Sequence, residues 1–138
     1  MRYKKFDETI VVRLETGEDI HGSIKEICKN ENITMGTITG FGGINYIKVG
    51  IWNNEKEGYD YKVVNDRSME LLSLTGNISM LDGEVNTHIH VTASDNTFNV
   101  FGGHLVDGVV QNLAELYIYA GNGRIDRVPV KSWHFMDI

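Results

Sequence analysis

The chain has 138 residues, of which 41% are hydrophobic and 23% charged, a composition typical of one soluble globular domain. Its formal net charge of −6, from 13 basic and 19 acidic residues, opposes unaided binding to a phosphate backbone. The single cysteine, Cys28, excludes an intrachain disulfide, and no apolar run approaches the ~18 residues that a membrane span needs. The composition therefore predicts a cytoplasmic protein without a membrane segment.

The first predicted elements are a strand and a helix. Residues 9–14 (TIVVRL) are rich in β-branched side chains, which is typical of a strand. Ile20, Ile24 and Ile27 recur at helical spacing after an acidic start, and this predicts a helix over residues 18–30. We expect this main N-terminal helix to pack its isoleucine stripe on a sheet.

From residue 34 the sequence is strand-like nearly to its end. The candidate strands are residues 35–52, 57–64, 69–80, 88–94, 98–105 and 113–120. Segments rich in Asn, Asp and Gly separate them as turns. One helix and about seven strands predict an α+β fold, a single compact domain over residues 1–138 with mostly antiparallel, curled β-sheet.

Histidines in the segment NTHIHVTASD are the most informative feature. His88 and His90 share one face of a strand, because successive side chains alternate between faces. If the segment pairs with residues 98–106 around a turn centred near residue 96, His104 lies opposite His88. Three histidines with an open fourth position are typical of a catalytic zinc site.

The same pattern is also compatible with histidines that bind no metal and face solvent. His21 is predicted to lie on the surface of the helix, and His134 to pack or face solvent.

Two further candidate functional residues carry charge. Glu115 is either a partner of a histidine ligand or a general acid/base, or else a carboxylate paired with arginine or facing solvent. Arg13 either binds a substrate carboxylate or forms an ion pair at a subunit contact.

The stretch ELLSLTGNIS, followed by DGEVNTHIHVTASDNTFNVFGGHLVDGVVQNLAEL, resembles the signature of the PPC (plants and prokaryotes conserved) domain family. The matching residues are Ser73, Leu74, Gly76, Asn77, Ile78, His88, His90, Gly102, Gly103, His104, Leu105, Gly108, Val109 and Glu115. The resemblance implies a compact α+β domain with antiparallel sheets that assembles as a homotrimer. The fold also resembles that of acetolactate decarboxylase, whose zinc is held by three histidines. By this resemblance His88, His90 and His104 are candidate metal ligands.

Plant members of the family carry an AT-hook that grips the DNA minor groove, and prokaryotic members are often named DNA-binding by that similarity. This sequence contains no Arg-Gly-Arg-Pro hook, and its only proline is Pro129. Without the hook, and with a negative net charge, DNA binding is disfavoured.

Three functions therefore stay open at the level of sequence. The first is a trimeric, metal-binding PPC-domain protein, with zinc as the expected ion, that binds or acts on a small oxygenated metabolite. The second is a DNA-binding regulatory protein. The third is a non-catalytic trimeric module for a ligand or partner. The residues do not decide whether the protein is an enzyme.

Overall fold

Nine strands and one short helix make up the computed structural model, which describes residues 1–138. They are β1 (Arg2–Phe6), β2 (Thr9–Glu15), α1 (Ile20–Asn30), β3 (Gly36–Asn53), β4 (Gly58–Val64), β5 (Met69–Leu81), β6 (Glu84–Asp95), β7 (Val100–Ala120), β8 (Arg127–Val130) and β9 (Trp133–Met136). The first seven strands form one sheet in the order β1-β2-β7-β6-β5-β3-β4, and β8 pairs with β9. Every one of these strand pairs is antiparallel, which confirms a single compact domain of mostly antiparallel sheet.

The sheet curls until it closes on itself, because β7 is long enough to pair with three other strands. This 21-residue strand pairs with β6 through residues 100–104, with β3 through 104–120 and with β2 through 113–119. Since β3 also pairs with β5, and β5 with β6, four strands form a ring. Alternate side chains such as Leu14 and Leu116 point into an apolar core. The two strands predicted over 98–105 and 113–120 are therefore parts of one strand.

The helix is a minor element rather than the main packed helix that the sequence predicts. It spans 11 residues instead of 18–30, because Asp19 caps its first turn by accepting a hydrogen bond from the Gly22 amide. Ile20, Ile24 and Ile27 are fully buried in the core, as the helical spacing predicts. No helix in the structure is long and apolar enough to cross a membrane.

Three short strands were not predicted from the sequence, and they lie near the two ends of the chain. β1 pairs with β2 and extends the sheet. The β8–β9 hairpin follows a segment held beside β5, where the Met80 amide donates to the carbonyl of Ile125 at 2.8 Å. This C-terminal hairpin becomes one wall of the candidate site described below.

Glycines permit the close approach of β6, β7 and β3 where the three strands meet. A Cβ atom at Gly102 would collide with the carbonyl oxygen of Val91 on β6. A Cβ at Gly103, whose φ is +154°, would lie 2.7 Å from the carbonyl oxygen of Gly50 on β3. The pair therefore brings His104, the next residue, between two neighbouring strands.

We predict that Gly102→Ala lowers the free energy of unfolding by about 1–3 kcal/mol, because the added methyl group forces β6 and β7 apart. Urea unfolding followed by circular dichroism measures the change. Gly58→Ala is the matched control, since its nearest neighbour outside the adjoining residues is the Lys56 carbonyl oxygen at 3.8 Å. The control is expected to change stability by less than about 0.5 kcal/mol, and equal losses in both variants would contradict the close-approach argument.

Candidate metal centre

Strand alternation places two histidines outside the core on β6. Ile89 and Val91 on this strand are buried, whereas His88 is half-buried and His90 is exposed. The two imidazoles therefore share the face predicted from the sequence, and their Nε2 atoms are 3.2 Å apart. Two nitrogen ligands of one tetrahedral zinc ion, each about 2.0–2.1 Å from the metal, are separated by about 3.3 Å.

The β6–β7 hairpin brings the third histidine to the same face, with a register that differs from the predicted one. His104 is the pairing partner of His90, not of His88, so the prediction was wrong by two residues. The turn explains the shift, because the Asp95 carboxylate accepts hydrogen bonds from the Thr97 amide at 2.9 Å and the Asn99 amide at 3.1 Å. These bonds centre the turn on residue 97, and an even shift leaves the face unchanged.

The three imidazoles form a compact cluster. Their ring centroids are 5.1 Å apart for His88 and His90, 5.1 Å for His88 and His104, and 5.5 Å for His90 and His104. One ring nitrogen from each residue lies within 4.8 Å of those of the other two. The Nδ1 atom of His104 is buried and has no hydrogen-bond partner, as expected of a group that an ion or ligand satisfies. The donor set and its unpaired nitrogen fit a divalent metal.

The environment of His88 and His104 keeps these two imidazoles neutral. Burial, and then the neighbouring histidines, lower the pKa of His104 from 6.5 to about 4. Burial also lowers the pKa of His88, and the positive charge of Arg127 adds to this effect. Neutral imidazole is the form that binds a metal, so protons compete weakly with an ion for these nitrogens near pH 7.

His21 contacts the two strands that carry the cluster, although the sequence predicts a surface position for it. Its Nδ1 atom lies 2.7 Å from the Thr87 hydroxyl, and its Nε2 atom lies 3.2 Å from the Leu105 carbonyl oxygen. Thr87 and Leu105 are the chain neighbours of His88 and His104. His21 therefore links the helix to both strands that carry the cluster, and burial lowers its pKa.

A cavity of about 210 Å³ opens beside His88 and His104. Its other lining residues are Tyr59, Leu81, Asn86, Thr87, Arg127, Trp133 and His134. The Tyr59 ring centroid lies 5.5 Å from that of His104, and Trp133 packs against Trp52 with tilted rings whose centroids are 4.3 Å apart. His134, predicted to pack or face solvent, is exposed at the mouth of this cavity. The sequence does not predict that the C-terminal hairpin forms one wall of this cavity, because no local sequence pattern links the hairpin to the histidines.

Glu115 and Arg13 are brought together, but not at the histidine cluster. They are pairing partners on β7 and β2, and both are exposed. Glu115 follows His104 by 11 positions on one strand, which corresponds to a separation on the order of 35 Å along it. Arg13 forms an ion pair with Glu15 at 2.6 Å. A catalytic role for either residue stays a prediction without support from this geometry.

The fold is a closed antiparallel sheet that carries three histidines on one face. Comparison with a family model identifies the protein family. Residues 1–121 match the model of the Plants and Prokaryotes Conserved (PCC) domain. The chain therefore belongs to this family, the one that the sequence signature resembles. No curated protein matches the chain.

Solved structures support the assignment. A plant- and prokaryote-conserved protein from Pyrococcus horikoshii is 36% identical, with a TM-score of 0.82, and the alignment covers 94% of this chain and 88% of that one. A protein from Bacteroides thetaiotaomicron, provisionally described as DNA-binding, is 27% identical with a TM-score of 0.92 and coverage of 99% and 96%. A protein from Archaeoglobus fulgidus, described as metal-containing, is 27% identical with a TM-score of 0.83 and coverage of 95% and 93%.

The predicted likeness to acetolactate decarboxylase is confirmed at the level of fold. The enzyme from Bacillus subtilis strain 168 has a TM-score of 0.58 and 16% identity over 86% of this chain. The alignment covers 55% of the enzyme, so this chain spans about half of its length. At this identity the likeness concerns the fold alone.

We predict that the metal-free protein loses stability as the pH falls from about 6.5 towards 4, and that His104→Gln reduces this loss. The pKa of His104 is near 4 when folded and near 6.5 when unfolded, so the unfolded chain binds its proton first. Urea midpoints between pH 7 and pH 4 measure the effect.

His134→Gln is the control for that experiment, because it removes an exposed histidine outside the cluster. Its pH profile is expected to follow the wild type. If the His104→Gln profile also ran parallel to the wild type, the assigned environment of His104 would be wrong.

Proposed function

We propose that this PPC-domain protein binds one divalent metal through His88, His90 and His104, and that it binds or acts on a small oxygenated metabolite at that metal. The observation that carries the proposal is the convergence of three ring nitrogens within 4.8 Å on one sheet face. The relative from Archaeoglobus fulgidus, described as metal-containing, supports it. Zinc is the ion proposed, since three imidazoles with an open position are typical of its catalytic sites.

The metal, when bound, supplies a Lewis acid that polarises a carbonyl or hydroxyl oxygen. The residues of the chain supply the surroundings. His21 fixes the segments on which His88 and His104 lie, through its contacts with Thr87 and Leu105. Tyr59 and Trp133 provide aromatic surface that restricts water at one side of the cavity.

Assembly as a homotrimer in the cytoplasm is part of this proposal. Three large side chains on the outer faces of β3 and β7 are substantially exposed, namely Phe41, Tyr117 and Tyr119. An apolar face of this kind favours contact with another subunit. Cys28 is a buried free thiol, and burial raises its pKa to about 12. A lone cysteine that forms no disulfide is typical of a protein in a reducing compartment.

We predict about one zinc ion per chain in untagged protein purified without chelator, and loss of that ion in His88→Ala/His90→Ala. Two of the three proposed ligands are then missing, so the affinity for metal collapses. Elemental analysis measures the content, and light scattering on the same samples tests for a trimer of 15.6 kDa chains.

His134→Ala serves as the matched control, since His134 lines the cavity but lies outside the cluster. It is expected to retain the wild-type metal content. A wild type that takes up no zinc, even after dialysis against it, would refute the metal site. A change in stability alone in the double variant would then favour the non-catalytic module.

DNA binding is the second candidate, because two structural relatives carry that provisional description. The net charge of −6 opposes DNA binding, and several lysines already form ion pairs with acidic residues, as in the Lys5–Glu31 pair at 3.1 Å.

We predict no saturable change in the fluorescence anisotropy of a short labelled DNA duplex when the protein is added at low salt. Affinity that falls steeply as salt rises would instead favour the DNA-binding function.

A further inference from the structure

Arg127, at the start of β8, is held by three neutral acceptors. Its Nε donates to the Ser79 hydroxyl at 2.8 Å, one terminal nitrogen donates to the Asn77 side-chain carbonyl at 2.9 Å, and the other donates to the His134 carbonyl at 2.7 Å. No carboxylate lies within ion-pair distance, since the preceding residue, Asp126, pairs with Arg124 at 2.7 Å. The guanidinium therefore keeps an uncompensated charge and two unused N–H donors.

The position of Arg127 relates it directly to the histidine cluster. Asn77, which holds one end of the guanidinium, is the pairing partner of His88 across β5 and β6. Arg127, His88 and His104 all line the same cavity. The electrostatic effect of Arg127 on the pKa of His88 agrees with this proximity.

The cavity restricts both the size and the charge of a ligand. Its volume of about 210 Å³ is smaller than the roughly 300–1,000 Å³ typical of pockets for drug-sized ligands, which favours a small ligand. Its lining includes no Asp or Glu. A divalent ion on three neutral histidines, next to an arginine, therefore leaves a concentrated positive charge that an anionic ligand would balance.

We propose that Arg127 binds the carboxylate of the ligand, and that the ligand is a small carboxylic acid with a second oxygen group close to the carboxylate. The planar fork of a guanidinium matches the two oxygens of a carboxylate. This inference rests on the proposed function, because the second oxygen group is the one placed towards the metal. It assigns ligand recognition to a segment beyond the residues that match the family model.

The experiment uses zinc-loaded protein and isothermal titration with glycolate, which carries a hydroxyl beside its carboxylate. Glycolamide, its uncharged analogue, and inorganic phosphate are titrated in parallel. Arg127→Gln is expected to weaken glycolate binding by about tenfold or more, the usual effect of losing hydrogen bonds to a charged group, and to leave glycolamide unchanged. Arg127→Lys, which keeps the charge but not the fork, is expected to lie between.

Arg2→Gln is the matched control, because this exposed arginine lies on β1 and does not line the cavity. It should bind glycolate as the wild type does. Zinc content and thermal unfolding of each variant show whether site and fold persist. A purely structural role for Arg127 would lower stability without changing the preference for glycolate over glycolamide.

Two outcomes would overturn the inference. They are no glycolate binding by zinc-loaded wild type, whether or not phosphate binds, and equal glycolate affinity in Arg127→Gln. Failure to bind zinc is a separate result that refutes the proposed function. In that case titration of the metal-free protein decides the carboxylate assignment, which is supported only if glycolate binds and Arg127→Gln weakens it.

Discussion

The pairing of β6 with β7 is the constraint on which the histidine cluster depends. His90 faces His104 only because the Asp95 turn fixes the hairpin and because Gly102 lets the two backbones approach. Hydrogen bonds from Thr97, followed by those from Asn99, lower the pKa of Asp95 to about 2, so the turn keeps its charged acceptor at any ordinary pH. A slip of one residue would turn His104 into the core, since side chains alternate between faces.

Local sequence patterns predicted much of this arrangement, and they failed where contacts are distant. The alternation of β6 and the convergence of His88, His90 and His104 on one face follow from a period of two and one hairpin. The register was wrong by two, because the hydrogen bonds of Asp95 that centre the turn are not visible in a count of residues. A register error of two residues leaves the predicted face of each side chain correct, whereas an error of one residue would place every side chain on the opposite face.

The residues that sequence reasoning missed all act across long distances in the chain. His21 meets Thr87 and Leu105 over separations of 66 and 84 residues, and Arg127 meets Asn77 over 50. No sequence periodicity connects such distant partners, and the sequence alone therefore predicts a position on the helix surface for His21. The helix was overestimated for a related reason, because its acidic start at residue 18 belongs to the turn and cap rather than to the helix.

The site combines two parts of the chain that have different physical tasks. The three histidines lie on strands of the closed ring, where neighbouring strands fix their positions and burial keeps His88 and His104 in the neutral form. Arg127 and Trp133 lie on a separate two-stranded hairpin that meets the ring mainly beside β5. In the proposed function, metal affinity depends on the four-stranded ring, whereas ligand charge and size depend on the hairpin. Substitutions in the hairpin are then expected to alter which ligand fits without changing metal affinity, because the two sets of side chains share a cavity but no strand.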